Sequence, residues 1–390
     1  MLSYKRGYAQ VNLDAIRENL IHMKEGMNPK SNIIAVLKAD GYGHGSVAIA
    51  ENIKDLEFIS AIAVATVEEA HIIRMTGTTK PILVLGYTFP YCYEILAKEE
   101  ITATVFREDS LKELEEAAVL AGKNIKIHIK VDTGMSRVGI TPDEKGLLFL
   151  EKVLSYKHLE LTGIFTHFAR ADEADKSSAK KQLSIFNDFV QKAESKYNVV
   201  IPIKHVSNSA GILEIPEANL NEVRAGISLY GIYPSKEIKG KFPLYPAMSL
   251  HSHIVYKKTI EKGQSISYGG TFTAKRQMEV ATIPLGYGDG YPRSLSNKGE
   301  VLVHGQRAPI LGRICMDQFI VDVTNIKDAK EGDLVTLLGT QGKESITVQE
   351  LGDLSGRFPY EFVCDIGKRV PRVYVRNGTF WGQKDYYNDF

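Results

Sequence analysis

Residues 33–45 read Ile-Ile-Ala-Val-Leu-Lys38-Ala-Asp-Gly-Tyr42-Gly-His-Gly, and this stretch decides how the chain is interpreted. Five apolar residues predict a buried strand, and the glycines that follow allow the backbone to approach a ligand closely. A charged lysine is costly at the end of a buried strand, whereas a lysine that is neutral in an imine is tolerated there. Tyr42 adds a hydroxyl that can reach a phosphate. The stretch therefore predicts a strand, a turn and the start of a helix around a reactive lysine.

Two other interpretations stay open on these residues alone. A strand followed by Gly41-x-Gly43 and a helix is similar to a dinucleotide-binding turn, although Ser46 stands where the third glycine of that fingerprint belongs. A lone lysine at a strand end is also commonly a surface residue. The remainder of the chain decides between these interpretations.

The bulk composition excludes several classes of protein. The chain has 390 residues, which suits two domains, and its formal net charge of +1 does not indicate nucleic acid or an acidic membrane surface as a partner. Its 3 cysteines are widely spaced, which argues against a disulfide framework. The N-terminus lacks the apolar core of a signal peptide, and no apolar run is long enough for a membrane span. We expect a cytoplasmic enzyme.

Between about residues 30 and 230, short β-rich runs alternate with helical patterns. Strands are predicted over residues 33–37, 60–65, 81–85, 101–105, 125–131, 159–166, 203–206 and 221–229. Apolar residues at helical spacing predict helices over 67–75, 110–121 and 178–197. Eight strand–helix repeats predict a (β/α)8 barrel of the TIM type, with a doubly wound open sheet as the alternative.

The pattern changes after about residue 240. The runs there are short, often alternate and are separated by Gly-rich turns; they cover 251–256, 278–283, 300–303, 319–323 and 333–337. They predict a mostly antiparallel β domain, with a small barrel as its expected form. The run 8–13 is expected to join it as a strand. The predicted division is therefore a barrel over 14–240 and a β domain formed by 1–13 and 241–390.

Residues able to carry chemistry fall at the carboxyl ends of the predicted barrel strands, where the sites of such barrels lie. The motifs are Lys38, Lys130-Val-Asp-Thr-Gly-Met-Ser-Arg137, Thr166-His167, His205-Val-Ser-Asn208-Ser209 and Val223-Arg224-Ala-Gly226-Ile227. One such motif alone is weak, because a strand-end histidine is usually structural. Five at the same end are hard to obtain by chance. Hydroxyl and backbone N–H groups after the last two strands suit a phosphate.

These motifs resemble the alanine racemase family, and the resemblance extends through nearly the whole chain. In the second half it is carried by Ile266-Ser-Tyr268, Gly286-Tyr287-Gly-Asp-Gly-Tyr-Pro-Arg293, Gly312-Arg-Ile-Cys-Met316-Asp317-Gln318 and Phe358-Pro-Tyr360-Glu361. The resemblance implies a pyridoxal-phosphate enzyme that interconverts L-alanine and D-alanine, with the D isomer supplying peptidoglycan synthesis. It also implies a head-to-tail homodimer, in which the β domain of one subunit completes the site of the other.

The resemblance further implies a role for each matching residue. Lys38 carries the cofactor and serves the D-face of the substrate, and Tyr268 of the partner subunit serves the L-face. Arg137 and Met316 hold the substrate carboxylate, and Lys130 is often a carbamate in this family. The cofactor set comprises Lys38, Tyr42, His167, Ser209, Arg224, Gly226, Ile227 and Tyr360, with Asn208, Tyr287 and Asp317 as supporting residues.

Arg224 is the most diagnostic residue of the set. An arginine cannot accept a proton, so the cofactor ring nitrogen beside it is expected to stay unprotonated, which suppresses side reactions such as transamination. Decarboxylases on the same barrel typically show a glutamate in this role, so Arg224 favours a racemase. A chain of His167 and Arg224 is expected to lower the pKa of the Tyr268 phenol.

Several alternatives remain at this point. A serine or broad-specificity amino-acid racemase is the nearest, because a small pocket discriminates only modestly against one extra hydroxyl. The bulk of Tyr360 and Met316 favours alanine. More distant alternatives are a decarboxylase on the same barrel, a non-catalytic cofactor-binding protein and a nicotinamide-dependent enzyme. His251 and His253 alternate on a predicted strand without further ligands, so no metal site is expected.

Overall fold

The computed structural model describes residues 6–238 and 242–387. These residues form two compact units. One comprises the described residues of Met1–Asp14, Tyr42–Gly45 and Pro246–Phe390, and the other comprises those of Ala15–Gly41 and Ser46–Tyr245. The domain boundary predicted at 240/241 lies outside the described residues, and the predicted division stays a prediction.

The second unit is a closed barrel of parallel strands, which confirms the predicted (β/α)8 fold and excludes the open sheet. Strand β1 (Gly7–Asn12) belongs to the first unit, so the barrel begins at β2. Its strands are β2 (Asn32–Val36), β3 (Ile59–Val64), β4 (Ile82–Val84), β5 (Ile101–Val105), β6 (Ile125–Lys130), β7 (Leu159–Phe165), β8 (Ile203–His205) and β9 (Glu222–Ala225). The barrel closes because β2 pairs with both β3 and β9.

Helices and short turns connect the barrel strands. The helices are α1 (Leu13–Glu25), α2 (Lys38–Tyr42), α3 (Ser46–Ile53), α4 (Val67–Arg74), α5 (Tyr93–Lys98), α6 (Glu108–Ala121), α7 (Glu144–Ser155), α8 (Ser177–Tyr197) and α9 (Ser209–Glu214). Side-chain caps fix where several of them begin; Asp143, for example, accepts the N–H groups of Lys145 and Gly146 before α7. Strand β5 is buried along its whole length, as expected for a parallel strand covered by helices.

The predicted strand over 221–229 is too long. Strand β9 ends at Ala225, because Gly226 takes backbone angles of φ −102° and ψ −110°, which lie outside the β region. A 3₁₀ turn over Ile227–Tyr230 follows. This break matters for the site, since it turns the backbone N–H groups after β9 out of the strand ladder.

The first unit is built on an 11-stranded, mostly antiparallel sheet in the order β11-β14-β17-β16-β15-β18-β10-β1-β20-β21, with β19 paired to β18. Strand β1 runs antiparallel to β10 and parallel to β20, so the N-terminal run joins this sheet as predicted. The further elements are β10 (Met248–His253), β11 (Tyr256–Ile260), β12 (Ser265–Ile266), β13 (Phe272–Thr273), β14 (Met278–Ile283), β15 (Glu300–Val303), β16 (Gln306–Leu311), β17 (Phe319–Asp322), β18 (Leu334–Gln341), β19 (Glu344–Ile346), α10 (Val348–Ser355), α11 (Pro359–Cys364), β20 (Arg372–Arg376) and β21 (Thr379–Lys384).

Two expectations for this unit are wrong. Among the described residues the path of paired strands runs from β11 to β21 without closing, so the expected small barrel is an open sheet. The predicted strand over 251–256 instead spans the end of β10 and the start of β11. The chain changes partners there: the Ile254 N–H donates to the Asp333 carbonyl and the Val255 N–H donates to the Thr282 carbonyl.

Candidate active site

Lys38 begins a backbone turn of unusual hand. Within α2, Ala39, Asp40 and Gly41 have φ values of 52°, 51° and 63°, which make a left-handed turn. Such a conformation costs a residue other than glycine about 1–2 kcal/mol, so other contacts must hold it. The Gly41 N–H donates to the Leu37 carbonyl at 2.8 Å, and the Asp40 carboxylate accepts from the N–H and hydroxyl of Ser46 at 2.9 and 3.0 Å. The half-buried Lys38 side chain thus leaves the barrel from a constrained backbone.

Arg224, on β9, is the centre of the barrel end. Only 3% of it is exposed, and its guanidinium donates to the carbonyls of His205, Thr166 and Val206 at 2.7–2.9 Å. It also meets His205 Nδ1 at 2.8 Å and His167 Nδ1 at 3.3 Å. Because an arginine can only donate, both imidazoles accept at Nδ1 and carry their proton on Nε2. The Nε2–H of His167 is therefore a donor directed away from Arg224.

The imidazole chain continues beyond Arg224. His205 Nε2 lies 3.0 Å from Nδ1 of His128, so the same reasoning makes His205 the donor. Burial, and then the charge of Arg224, lower the pKa of His128 to about 3 and hold the pKa values of His167 and His205 well below the usual range. Burial and the charge of Arg137 lower the pKa of Arg224 to about 9. At pH 7 the array is therefore one cation among neutral imidazoles.

Lys130 is the second buried cation-forming group at this end. Only 4% of it is exposed, and its Nζ lies over the ring of Phe165, 4.5 Å from the centroid. Burial, followed by the charges of Arg224 and Arg137, holds the Lys130 pKa well below its usual value, which favours the neutral amine. Lys130, Arg137, Thr166 and His167 are among the residues that line one pocket at this end of the barrel. The structure thus brings together Lys130, Arg137 and His167.

The residues after β8 and β9 form a cluster of hydroxyl and amide groups. The Ser209 hydroxyl accepts from the Gly226 N–H at 3.0 Å and from the Ser228 N–H at 3.3 Å. Asn208 accepts the Gly211 N–H and so caps α9. The hydroxyls of Ser207 and Ser228 are buried and have no hydrogen-bond partner among residues 6–238 and 242–387. Buried hydroxyls without partners are unusual, and a bound anion is one way to satisfy them.

The first unit brings together two further predicted residues. Tyr42 and Tyr360 lie with ring centroids 6.2 Å apart, and Tyr360 stacks on Phe358 at 4.4 Å. Burial, and then the nearby Cys364 thiol, raise the pKa of Tyr42, so its phenol stays protonated and able to donate. Tyr42 is buried, whereas Tyr360 is half-buried.

The loop around Cys315 contains Met316 and contacts the segments that carry Tyr268 and Tyr287. The Tyr287 N–H donates to the Cys315 carbonyl at 3.1 Å, and the Cys315 thiol lies 3.3 Å from the hydroxyl of Ser267, which precedes Tyr268. All three side chains are exposed: 70% for Tyr268, 42% for Tyr287 and 51% for Met316. Asp317, also exposed, forms an ion pair with Arg369 at 2.7 Å.

Several residues of the site were missed by the sequence reasoning. His128 lies in the middle of β6, and Gln182 lies on α8, far from any strand end. The Gln182 amide donates to the Thr133 hydroxyl and the His167 carbonyl and accepts the Ala169 N–H, so it holds the backbone beside His167. Only the polar character of these residues within otherwise apolar positions of β6 and α8 marks them in the sequence.

A metal centre and a membrane-spanning helix would each give a recognisable pattern in the described residues, 6–238 and 242–387. These residues contain no group of three or more histidine, cysteine or acidic side chains placed to hold a metal ion. None of their helices combines the length and the apolar character that crossing a membrane requires.

Comparison with known proteins extends the similarity to both halves of the chain. Residues 11–234 match the family model for the alanine racemase N-terminal domain, and residues 247–374 match that for the C-terminal domain. An alanine racemase of Methanococcus maripaludis is 43% identical over 373 residues, which cover 94% of this chain and 98% of that enzyme.

Solved structures agree. The alanine racemase of Clostridium difficile 630 superimposes with a TM-score of 0.94 at 37% identity and covers 99% of this chain and 100% of that one. An alanine racemase from Bacillus anthracis with bound L-Ala-P gives a TM-score of 0.93 at 37% identity, covering 100% of each chain. With both domain models matched and relatives above 40% identity along nearly its whole length, the chain belongs to the alanine racemase family.

Proposed function

We propose that the protein is a pyridoxal-phosphate-dependent racemase that interconverts L-alanine and D-alanine. Arg224 carries the proposal. Its guanidinium is buried and its hydrogen bonds within the described residues go to carbonyls and imidazoles rather than to a carboxylate. A cation in this place leaves a cofactor ring nitrogen unprotonated, which favours racemisation over decarboxylation or transamination.

The residues present fit the cofactor. The Ser209 hydroxyl accepts the N–H groups of Gly226 and Ser228 and has its own O–H to donate to a phosphate, and the buried hydroxyls of Ser207 and Ser228 have no hydrogen-bond partner among the described residues. We assign Ile227 to the same set, and Tyr42 and Tyr360 as phenol donors to the same phosphate. When bound, pyridoxal phosphate supplies an aldehyde for Lys38 and an aromatic ring that withdraws electrons from the Cα of the amino acid.

Two side chains of the protein exchange the Cα proton in this proposal. Lys38 removes or delivers it on the D-face, and Tyr268 of the partner subunit does so on the L-face. The phenol needs help to act as a base near neutrality, since its ordinary pKa is about 10. His167 can give that help, because its Nε2–H is a donor to the phenol oxygen while Arg224 occupies its Nδ1.

Lys130 and Arg137 have a joint role. The nitrogen of a neutral amine can attack carbon dioxide, so that an N–C bond forms, one C=O π bond opens and the nitrogen loses a proton to water; the carbamate anion that results can pair with Arg137. We propose that Lys130 is carbamylated and that the carbamate orients Arg137 toward the substrate carboxylate. The lowered Lys130 pKa and the shared pocket support this.

We propose that the β unit of the partner subunit supplies further contacts to the substrate. We assign the Met316 N–H to the substrate carboxylate, with Tyr287 beside it and Asp317 supporting their loop. The Tyr360 ring stacks on Phe358, and we propose that its bulk leaves space for little more than a methyl group on the substrate. Serine racemisation is the close alternative, because a pocket of this kind rejects an added hydroxyl only about a hundredfold.

We further propose a homodimer with composite sites in the cytoplasm. Tyr268, Tyr287 and Met316 are apolar or aromatic residues exposed together on one unit, a pattern typical of a surface covered by another chain. No nucleic-acid or membrane partner is proposed. The D-alanine formed would supply peptidoglycan synthesis.

Two measurements test the proposal. Borohydride reduction of the cofactor-loaded protein, followed by peptide mass spectrometry, is expected to place the cofactor on Lys38. Deuterium from solvent is expected to enter Cα of both alanine enantiomers, faster than Cα of serine and without release of carbon dioxide. Labelling of a different lysine, or carbon dioxide release, would contradict the proposal.

A further inference from the structure

We infer that Glu69 is a positioning residue for Lys38: its carboxylate holds the left-handed turn from which Lys38 projects. This inference rests on the proposed function, because it assigns a purpose to the geometry of the cofactor lysine. Glu69 lies in the first turn of α4, after β3, and it is 31 residues beyond Lys38 in the sequence.

The geometry is a bridge between two neighbouring barrel strands. Glu69 Oε1 accepts the Ala39 N–H at 2.6 Å, and Oε2 accepts the Ala65 N–H at 2.8 Å. Ala39 follows Lys38 directly, whereas Ala65 follows the last residue of β3. One carboxylate therefore ties the backbone after β2 to the backbone after β3.

The hydrogen bonds of Glu69 differ from those that a glutamate usually makes three residues after a helix N-cap. Thr66-Val-Glu68-Glu69 has the form of a capping box, and the Thr66 hydroxyl does accept the Glu69 N–H. In a capping box the glutamate would reach back to the N–H of the cap, Thr66. Here its oxygens instead accept from Ala39 and Ala65, so Glu69 serves the lysine turn as well as its own helix.

Hydrogen bonds from outside the turn must stabilise it because its backbone is strained. Ala39 and Asp40 both have φ values near 50°, which residues with a Cβ rarely adopt. The Asp40 side chain ties the turn to Ser46 on its C-terminal side, and Glu69 ties it on the N-terminal side. If the Glu69 bond to Ala39 is lost, the Cα of Lys38 gains freedom and its amine no longer lies reliably on one face of the substrate.

The test compares Glu69→Gln with Glu68→Gln. Both changes remove one charge from the first turn of α4, so any effect on the helix dipole is common to them. Glu68 is bonded to the Tyr91 hydroxyl and to Cys92, not to the lysine turn. The two amides meet different oxygens of the Glu69 carboxylate, so glutamine at this position must place its NH2 group, a donor, opposite one of the two N–H groups.

For Glu69→Gln we expect kcat to fall about tenfold with KM nearly unchanged, the size of effect that losing one charged hydrogen bond produces. The primary isotope effect for Cα-deuterated D-alanine is expected to rise, because Lys38 removes that proton, while the effect for deuterated L-alanine changes little. Bound cofactor, followed by its absorbance during dialysis, is expected to be lost several times faster. Glu68→Gln is expected to match the wild type in all three measurements.

A glycine rescue separates positioning from general structural damage. Glycine adopts a φ near 50° without a Cβ penalty, so Ala39→Gly in the Glu69→Gln background is expected to recover part of the lost kcat and cofactor retention. A cap for α4 that merely stabilised the fold would not respond to that change. If Glu69→Gln fails to fold, Glu69→Asp, which keeps the charge but is too short to span both amides, replaces it in the same measurements.

The outcomes distinguish this inference from the proposed function. Failure of the wild type to be labelled at Lys38 by borohydride would overturn the proposed function itself. Labelling of the wild type, together with equal isotope effects and equal cofactor loss in Glu69→Gln and Glu68→Gln, would overturn only the role of Glu69.

Discussion

The barrel end and the Cys315 loop of the β unit carry the two halves of the proposed chemistry under opposite physical conditions. In the barrel, Arg224 and Lys130 are almost fully buried, and their environment shifts their pKa values strongly. In the β unit, Tyr268 and Met316 are mostly exposed, and the side chain of Tyr268 stands on a short 3₁₀ turn. One group is built into the core of its unit, and the other is displayed on a surface.

This contrast separates stability from activity. Buried polar groups that are bonded to one another cannot be altered without leaving unsatisfied partners, so changes in the barrel array must cost folding free energy. Exposed side chains contribute little to the free energy of unfolding. We therefore expect barrel variants to lose both stability and activity, and β-unit variants to lose activity alone. The predictions below are ordered by their expected effect on the free energy of unfolding.

Arg224→Ala is expected to have the largest effect. The change leaves the carbonyls of Thr166, His205 and Val206 buried without their donor, and the expected loss is about 3–5 kcal/mol of unfolding free energy. Chemical denaturation followed by far-UV circular dichroism measures it.

Arg224→Lys is the matched control. It keeps the positive charge but loses the planar fork, so roughly half of that destabilisation is expected. If the unfolding free energy of Arg224→Ala lies within about 1 kcal/mol of the wild-type value, the buried barrel residues do not matter more for stability than the exposed residues of the β unit.

Mild acid is expected to weaken the barrel more than the β unit. His128, His167 and His205 have lowered pKa values in the folded barrel, and His251, at about 4, is the counterpart in the β unit. The histidine pKa in the unfolded chain is about 6.5. As the pH falls through this value, the unfolded chain binds protons that the folded chain does not bind, so the free energy of unfolding falls. From pH 7.5 to 5.5 each such imidazole costs about 1.4 kcal/mol.

The two units can be followed separately in this experiment. Trp381, the single tryptophan of the chain, lies on β21 in the β unit, and far-UV circular dichroism is dominated by the helices of the barrel. The midpoint by circular dichroism is expected to move further with pH than the midpoint by tryptophan fluorescence. Equal shifts would show that the buried imidazoles do not set the acid sensitivity.

The two regions also differ in what their sequence reveals. The carboxyl ends of barrel strands meet at one end of the barrel, so the sequence positions of Lys38, Lys130, His167 and Arg224 were enough to predict that they share that end. The tautomers of the imidazole chain depend on His128, a residue within β6 whose role appears only when its distance to His205 is known. The bond between Glu69 and Ala39 was equally hidden, because the local pattern is that of an ordinary capping box.

The β unit was harder to predict for a physical reason. Alternation of side chains identifies antiparallel strands but does not fix their partners, so the sequence predicts one strand over 251–256 where the backbone changes partners. The expected small barrel failed in the same way, since closure depends on pairing between distant strands. The family resemblance supplied Tyr268, Tyr287 and Met316 there, and composition supplied none of them.

Asp289→Asn tests an intermediate case within the β unit. The Asp289 carboxylate is 1% exposed. It binds Arg6 at 2.6 Å, Arg369 at 3.3 Å and the N–H of Gly286, the residue before Tyr287. Loss of the charge is expected to cost about 1–2 kcal/mol and to raise KM for alanine several-fold with a smaller change in kcat.

Asp365→Asn is the matched control for this change. Its ion pair with Arg357 is at the surface, so a change within about 0.5 kcal/mol is expected, with no effect on KM. A KM that stays constant in Asp289→Asn would mean that the buried carboxylate does not position the Tyr287 loop.

Tyr268→Phe is expected to have the smallest effect on stability, within about 0.5 kcal/mol, because 70% of the side chain is exposed. Turnover from L-alanine is nevertheless expected to fall by about a thousandfold, since a positioned acid or base contributes 10²–10⁴-fold in typical enzymes. The cofactor absorbance is expected to remain, because Lys38 is untouched. A fall in unfolding free energy comparable with that of Arg224→Ala would show that Tyr268 is structural.

Mixing two inactive variants places Tyr268 on one subunit or the other. If the phenol acts across the dimer, a heterodimer of Lys38→Ala and Tyr268→Phe chains regains one complete site, because the first chain supplies Tyr268 and the second supplies Lys38. Random reassociation of equal amounts then restores about a quarter of wild-type activity, since half of the dimers are mixed and each has one intact site of two. If both residues act within one chain, every site in the mixture lacks one of them and no activity returns. The exposed surface of the β unit would then need another explanation than a second copy of the chain.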